Sequence, residues 1–299
     1  VQMTERMIAN LYLSSESFKH NGTDSDNVVT EKLVDFHDLV DTLLNYRDDN
    51  KLYVFKDGFL NSPLFQDGTT VQDIFEDPSN SLTKYGKDAV TLFFSIFKHF
   101  HDEQSTIDDI KEYLEWEDEN NCHGVLVFNS TSSLPRNHQV ISNVAGWQSF
   151  RRHYLAKYPK SPEFFAKELC KYFPKIIFHS SLSQQISDVY TTHSFSIISY
   201  LSVLENNLVS DYANYGKDFI GFLNWFAGKY HLDGASFEGT KDKKFEFDFT
   251  DQTVVYCEPH LKMYRDDSGN TNQHCRIYFG KPKTSHDEHI YVGCICKHL

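Results

Sequence analysis

HCRIYFG (274–280) and HIYVGCICKHL (289–299) are the stretches that decide the fold of the C-terminal half. Together with FEFDFT (245–250) and TVVYCEPHLKMY (253–264) they make four short apolar runs separated by turn-forming residues. Runs of this length, rich in β-branched and aromatic residues, predict strands. Four of them in succession predict an antiparallel sheet.

The segments before these runs predict a strand and two helices. PKIIFH (174–179) has the composition of a short strand, and residues 183–207 and 216–230 carry apolar side chains at helical spacing. Strand, two helices and four strands in that order indicate an α+β domain, in which the helices pack on an antiparallel sheet. We expect this domain to span residues 174–299.

The first half of the chain has a different pattern of predicted elements. Residues 31–47 and 87–100 show amphipathic helical patterns, KLYVFK (51–56) predicts a strand, and GVLVFN (124–129) with HQVISNV (138–144) predicts a strand pair. The sequence therefore predicts a mostly helical domain with a few short strands over residues 1–160. YPKSP (158–162) interrupts the pattern, and Ser161 and Pro162 are typical of a helix start, here for a helix over 162–172. The boundary is expected between residues 158 and 174.

Composition and charge narrow the function classes. The chain has 299 residues, 40% of them hydrophobic, a net charge of −13 and six cysteines. No run reaches the ~18–20 apolar residues of a membrane span, and the scattered cysteines favour a cytoplasmic location. Residues 1–130 hold 25 acidic and 10 basic side chains. The acidic front is typical of a solvated surface, or of a surface that binds a protein partner.

Residues that bind phosphate or move protons recur along the last runs. His260 and Lys262 are two residues apart, as are Arg276 and Tyr278, so each pair shares one strand face. His298 follows the final run, beside Lys297. We expect five of these residues to be catalytic: His260, Lys262, Arg276, Tyr278 and His298. Lys297 is expected to bind the substrate, as is Glu238, which lies in the loop before the sheet.

Such a set suits RNA cleavage without a metal or other cofactor. A base takes the proton of the 2′-hydroxyl, an acid protonates the leaving 5′-oxygen, and cations stabilise the charged phosphorane. Histidine is the natural proton carrier near pH 7, and arginine binds phosphate with two parallel hydrogen bonds. The same side chains also suit the exposed face of an ordinary sheet, and this interpretation stays open.

The order of elements from 174 to 299, together with HLK, RIYF and IYVGCICKHL, resembles the RelE/HigB group of bacterial toxin ribonucleases. The resemblance implies cleavage of mRNA, with Lys262 and Arg276 as phosphate-binding cations and His298 as the terminal histidine. His260 and Tyr278 would then support acid–base chemistry. Those toxins are small and basic and lack a long acidic front domain. The whole chain is therefore expected to resemble an effector of a toxin–antitoxin or anti-phage defence system, with RNA as substrate.

Three alternatives remain on the residues alone. Cys257, Cys275, Cys294 and Cys296, with nearby histidines, offer zinc ligands, although C-x-C spacing on a strand is atypical of zinc sites. Asp248, Asp251 and Glu258 offer carboxylates for a Mg²⁺-dependent nuclease. The third alternative is a non-enzymatic adaptor or sensor subunit of a multi-protein defence complex. The sequence lacks a nucleotide-binding P-loop and the motifs of the common hydrolases.

Overall fold

The structure is a computed structural model, which describes residues 5–103, 107–129, 137–216, 218–237, 239–240, 242–283 and 288–299. The chain divides into two compact units, Val1–Phe150 and Arg151–Leu299. Each unit contains a sheet of its own. Within the described ranges, no helix is both long enough and apolar enough to cross a membrane.

The first unit is built on a parallel sheet. Its strands are β1 (Ile8–Leu13), β2 (Asn50–Phe55), β3 (His101–Glu103), β4 (Asn121–Leu126) and β5 (Val140–Ile141), in the order β3-β2-β1-β4-β5. All four pairings are parallel. Its helices are α1 (Asp26–Asn45), α2 (Lys56–Phe59), α3 (Val71–Glu76), α4 (Pro78–Tyr85), α5 (Lys87–Phe97) and α6 (Ile107–Glu115), and α7 (Val144–Lys157) contains the division between the units.

The prediction of a mostly helical front domain was therefore too coarse. The predicted strand at 51–56 is confirmed as β2, and the predicted strand pair is confirmed as β4 and β5, which run parallel. The central strand β1 was missed. Its sequence, IANLYL, is buried at four of its six positions, so both faces are largely covered and the alternation that marks a half-exposed strand is weak.

The second unit combines helices with a mixed sheet. Its helices are α8 (Pro162–Tyr172), α9 (Leu182–Gln185), α10 (Ser194–Tyr215) and α11 (Phe219–Lys229). Its strands are β6 (Ile176–Phe178), β7 (Gly234–Ser236), β8 (Glu246–Asp248), β9 (Val254–Tyr256), β10 (His260–Met263), β11 (Cys275–Phe279) and β12 (Ile290–Cys296). The main sheet has the order β6-β12-β11-β10-β7. Only β6 pairs in parallel, with β12, and the other pairings are antiparallel.

Helices followed by a sheet confirm the coarse α+β prediction for this unit, but the strand assignment needs one correction. β8 and β9 pair with each other and form a separate two-stranded hairpin. The run 253–264 is divided into β9 and β10, and Pro259 lies between them. Proline has no N–H to donate to a strand ladder, so a continuous strand through this position is disfavoured.

The predicted helix over 183–207 was also wrong in its first half. The structure has the short α9, then turns, and α10 begins only at Ser194. Ser187 and Thr192 donate side-chain hydrogen bonds to the carbonyls of Gln184 and Val189, which compete with helix continuation. Asp267 accepts hydrogen bonds from the N–H groups of Phe195 and Ser196 at 2.9 and 3.0 Å. A distant carboxylate thus fixes the start of α10.

The two faces of the main sheet differ. One face carries buried apolar side chains on its three central strands and supplies core to this unit: Leu261, Met263, Cys275, Ile277, Phe279, Val292 and Ile295. The opposite face carries the alternate residues of β10, β11 and β12. This opposite face, named here the polar face, holds four of the residues singled out in the sequence: His260, Lys262, Arg276 and Tyr278.

Candidate functional site

The polar face brings four of the predicted site residues together. In the antiparallel pairing of β10 with β11, His260 lies opposite Tyr278 and Lys262 lies opposite Arg276. Side chains directly opposite on one face have Cβ atoms about 4.5–5.5 Å apart. The four residues therefore form two adjacent cross-strand pairs. The alternation of side chains along each strand is compatible with this pairing but does not determine it.

Lys262 and Arg276 are two cations at directly opposed positions. Both are half-buried, and neither forms an ion pair with a carboxylate in the part of the chain that the structure describes. The Nη1 atom of Arg276 is buried and has no hydrogen-bond partner among the described residues. Like charges at opposed positions destabilise a sheet, and a buried donor without an acceptor costs free energy. An anion bound between the two side chains would relieve both costs.

His260 has a defined proton arrangement. Its Nδ1 lies 2.9 Å from the carbonyl oxygen of Glu258. A carbonyl oxygen only accepts, so Nδ1 carries the hydrogen and the neutral ring has its lone pair on Nε2. The ring packs on the ring of Tyr278, with centroids 4.7 Å apart. The contact with Glu258 and the packing on Tyr278 together fix the orientation of the ring.

Tyr278 lies on the polar face, but other side chains cover it there. The side chain is 2% exposed, its ring packs 5.8 Å from the ring of Phe245, and its hydroxyl accepts a hydrogen bond from the N–H of Leu299 at 3.4 Å. Burial raises the pKa of Tyr278, against smaller lowering effects of the Leu299 N–H and the Arg276 guanidinium. This environment suits a residue that positions His260 better than one that exchanges protons with a substrate.

The β8–β9 hairpin covers one end of the polar face. Phe245, Phe247, Phe249, Val255 and Cys257 form an apolar cluster with Tyr278 and Cys294. The cluster is close-packed at Gly293, where an added Cβ would lie 2.6 Å from the ring of Phe247. Glycine at this position is therefore what lets the hairpin approach β12. The half-buried end with His260, Lys262 and Arg276 lies outside this cluster.

Lys297 and His298 are less well placed than the two cross-strand pairs. Lys297 and His298 follow β12 and are exposed. The ring of His298 hydrogen-bonds through Nδ1 to the carbonyl of Leu299, whose N–H reaches Tyr278. The backbone of this segment therefore adjoins the polar face, although the structure gives no side-chain contact between His298 and the two cross-strand pairs among the described residues. Glu238 lies outside the described residues.

The cysteines do not converge on a metal site. Across the described ranges, no group of three or more His, Cys, Asp or Glu side chains is arranged to hold a metal ion. Cys275 belongs to the buried face, whereas Cys294 and Cys296 lie on the polar face, opposite Tyr278 and Arg276. The Cys294 thiol donates toward Cys296 and, with the Arg276 charge, lowers the pKa of Cys296.

Two carboxylates of the magnesium hypothesis, Asp251 and Glu258, have other contacts. Asp251 accepts hydrogen bonds from the N–H of Thr253 and the hydroxyl of Tyr291, both at 2.9 Å. These contacts lower the pKa of Asp251. Glu258 accepts from the N–H and hydroxyl of Thr240. The contacts of both carboxylates are those of residues that fix the loops around the hairpin.

Two residues of the polar face were missed as site residues in the sequence. Tyr264 comes directly after β10 and His274 directly before β11, so each continues the alternation of its strand by one step. Their rings meet at 6.2 Å and 85°. The signal was the two-residue spacing Lys262-x-Tyr264 and His274-x-Arg276, which runs past the strand ends.

The parallel sheet of the first unit offers a second place to look for a site. In sheets of this strand order, ligands bind outside the carboxyl ends of the strands where the order reverses, here between β1 and β4. The chain itself occupies that crevice. Phe18 is fully buried against Phe36, Phe59 and Phe128, and Ser17 accepts hydrogen bonds from the N–H groups of Phe128 and Asn129.

No protein-family model, no curated protein and no solved structure matches this chain. The resemblance to the RelE/HigB toxins therefore stays a prediction from the sequence. The geometry of the polar face provides an argument for function that is independent of that resemblance.

Proposed function

We propose that the second unit is a metal-independent endoribonuclease, with the polar face of its main sheet as the active site. One observation carries the proposal: the opposed cations Lys262 and Arg276 have no carboxylate partner among the described residues, and His260 adjoins them on the same strand face. Phosphate is the anion that fits this group, because a guanidinium binds two of its oxygens and an ammonium adds charge.

The chemistry follows from the positions of these side chains. Nε2 of His260 takes the proton of a ribose 2′-hydroxyl, whose oxygen attacks the adjacent phosphorus. Lys262 and Arg276 stabilise the extra negative charge of the phosphorane. The bond from phosphorus to the 5′-oxygen then breaks, leaving a 2′,3′-cyclic phosphate, and an acid supplies a proton to the 5′-oxygen. His298 is our candidate for that acid.

The test is incubation of the purified full chain with RNA, once with EDTA and once with Mg²⁺. Cleavage that persists in EDTA, with 2′,3′-cyclic phosphate ends identified by mass spectrometry, is the expected result. Cleavage only with Mg²⁺ would instead favour the carboxylates Asp248, Asp251 and Glu258. If Arg276→Ala and His298→Ala both leave cleavage and cellular toxicity intact, the proposal is wrong.

A second candidate function concerns the first unit, which we propose binds a protein partner. Trp116 is 80% exposed directly after α6, within the acidic segment 115–119. Beside it lies a cavity of about 390 Å³ lined partly by Tyr113 and His123. An exposed tryptophan surrounded by carboxylates suits a basic partner, through cation–π contact and charge attraction. Together the two functions would describe a regulated ribonuclease effector of a toxin–antitoxin or anti-phage system.

If the protein is an adaptor without catalysis, this surface would carry its whole function. Affinity purification from cells producing the full chain or Trp116→Ala distinguishes the two. A partner lost in the variant, combined with no RNA cleavage by the wild-type protein under any condition, would favour the adaptor.

A further inference from the structure

Tyr264 and His274 extend the polar face beyond the opposed cations. The last paired residues of β10 and β11 are Met263 and Cys275, and Tyr264 and His274 follow at the next positions on the side of Lys262 and Arg276. Tyr264 is 46% exposed, and the edge-on ring of His274 packs against it. A large aromatic surface therefore faces solvent about 7 Å along the strand from Lys262.

Hydrogen bonds fix the backbone at Tyr264, and a glycine leaves room for its ring. Its backbone N–H donates to Asp233 at 2.7 Å, and the N–H of Asp233 donates to the hydroxyl of Tyr200 at 2.8 Å. Gly234 lies opposite Lys262 on β7. A Cβ at Gly234 would lie 3.1 Å from the Tyr264 hydroxyl and 3.6 Å from two ring carbons. The absence of a side chain at Gly234 leaves room for the tyrosine to lie across the edge strand.

We infer that Tyr264 is a stacking platform for an unpaired base, so that the substrate of the polar face is single-stranded RNA. This inference rests on the proposed function. A nucleotide whose phosphate lies between Lys262 and Arg276 has its base, or that of its neighbour, within reach of the ring. Stacking on an aromatic side chain needs an unpaired base, because bases in a duplex are covered above and below.

The two cations on the same face distinguish this occupant from a basic peptide. An exposed tyrosine also attracts lysine or arginine side chains through cation–π contact. Here Lys262 and Arg276 lie on the same face without a carboxylate partner among the described residues, and would repel a basic peptide. A polyanion with aromatic bases satisfies both the cations and the ring.

The test measures the affinity of the full chain for a short single-stranded RNA, its abasic counterpart and the corresponding duplex. All three carry 2′-O-methyl groups, which block the attacking hydroxyl and prevent cleavage. Stacking contributes about 1–3 kcal/mol per base, so Tyr264→Leu is expected to weaken single-strand binding about 5- to 160-fold and duplex binding hardly at all. Tyr264→Phe should retain most of the affinity.

Two further variants control for indirect effects. Gly234→Ala keeps the tyrosine but crowds its hydroxyl, and should shift single-strand affinity in the same direction. Tyr215→Leu removes another exposed tyrosine, on α10 of the same unit, and should change nothing. If Tyr264→Leu binds all three RNAs as the wild type does while Arg276→Ala loses binding, the stacking platform is wrong and the proposed function stands. If the wild-type protein neither binds nor cleaves RNA, both are wrong.

Discussion

Lys262 and Arg276 lie directly opposite each other on neighbouring antiparallel strands and share one face of the sheet. This arrangement costs stability in the absence of an anion. Lys262→Gln and Arg276→Gln are therefore expected to weaken RNA binding without lowering the free energy of unfolding. Each should reduce the slope of log affinity against log salt by about 0.7, the value for one phosphate contact on a single strand.

The measurement is RNA affinity at several salt concentrations, with chemical denaturation of the same samples. Lys167→Gln removes one positive charge from the exposed surface of α8 and should leave the slope unchanged. A salt slope that stays constant in both site variants would show that neither side chain contacts phosphate.

His260 and Tyr278 are in contact, but we expect their contributions to the rate of RNA cleavage to differ. His260→Gln removes the proton acceptor and should slow cleavage about 10²- to 10⁴-fold, with little change in affinity for 2′-O-methyl RNA. Tyr278→Phe should slow cleavage less than about tenfold, because the hydroxyl is buried and contacts the N–H of Leu299 and the side chain of Arg276 rather than solvent. Single-turnover rates measure both. A Tyr278→Phe variant as slow as His260→Gln would contradict this division of roles.

Cys296 reports on the charge of Arg276. It lies opposite Arg276 on β12, and the pKa of Cys296 is lowered by the Cys294 thiol and by the arginine. A lower pKa means a larger thiolate fraction at a given pH, so the Arg276 charge should speed the reaction of Cys296 with iodoacetamide. Arg276→Gln should slow that modification, because the pKa of Cys296 then rises.

Peptide mass spectrometry of the alkylated protein gives the rate at each cysteine. Cys170, exposed on α8, is the internal reference and should react equally in both proteins. Equal rates at Cys296 with and without the arginine would mean that the guanidinium does not point toward this thiol.

The faces of the strands could be predicted from the sequence, but their partners could not. Alternation alone put His260 with Lys262 and Arg276 with Tyr278. That Lys262 opposes Arg276 depends on the connection between β10 and β11, and a slip of one residue would move one pair to the other face. The separation of β8 and β9 into a covering hairpin depends on the close approach at Gly293, which no local pattern reveals.

The parallel sheet of the first unit was harder to predict for a related reason. Its strands pair with partners that are distant in the sequence: β1 lies between β2 and β4, each reached through at least one helix. Parallel strands buried on both faces lack the polar and apolar alternation that identifies an exposed sheet. β3 and β5 are also only three and two residues long. Helical periodicity was therefore the stronger signal.

A buried ion pair stabilises the helical layer of the second unit. Arg152, on α7, forms a salt bridge with Glu205 of α10 and donates to the carbonyl of Tyr172 at 2.8 Å. Glu205 also accepts from the N–H of Lys175 at 3.0 Å. Glu205→Ala leaves the guanidinium buried without its counter-charge and should lower the free energy of unfolding by about 3–5 kcal/mol.

Chemical denaturation measures this change. The pair of the exposed Lys229 and the half-buried Asp211, 2.8 Å apart on α11 and α10, is the control, and Lys229→Ala should cost less than about 1 kcal/mol because the lysine is solvated. The double variant Arg152→Met, Glu205→Leu should recover much of the loss, because no charge is then left buried. A loss no larger in Glu205→Ala than in Lys229→Ala would contradict the prediction.

His193 should make the stability of the second unit depend on pH. The side chain is fully buried at the start of α10, and its burial lowers the pKa of His193 below its ordinary value of 6.5, despite the opposing effects of Asp267 and Asp266. In the unfolded chain the imidazole takes a proton near pH 6.5, whereas the folded protein resists it. The unfolded state then binds more protons, so the contribution of His193 to stability is complete above pH 6.5 and falls as the pH decreases below it.

Denaturation of the full chain between pH 5 and pH 8 measures this effect. The free energy of unfolding should depend on pH less strongly in His193→Gln than in the wild type. The control His231→Gln, whose side chain is exposed, should show the same pH dependence as the wild type. If the wild type and His193→Gln lose stability in parallel as the pH falls, the imidazole takes its proton equally well in the folded and unfolded states.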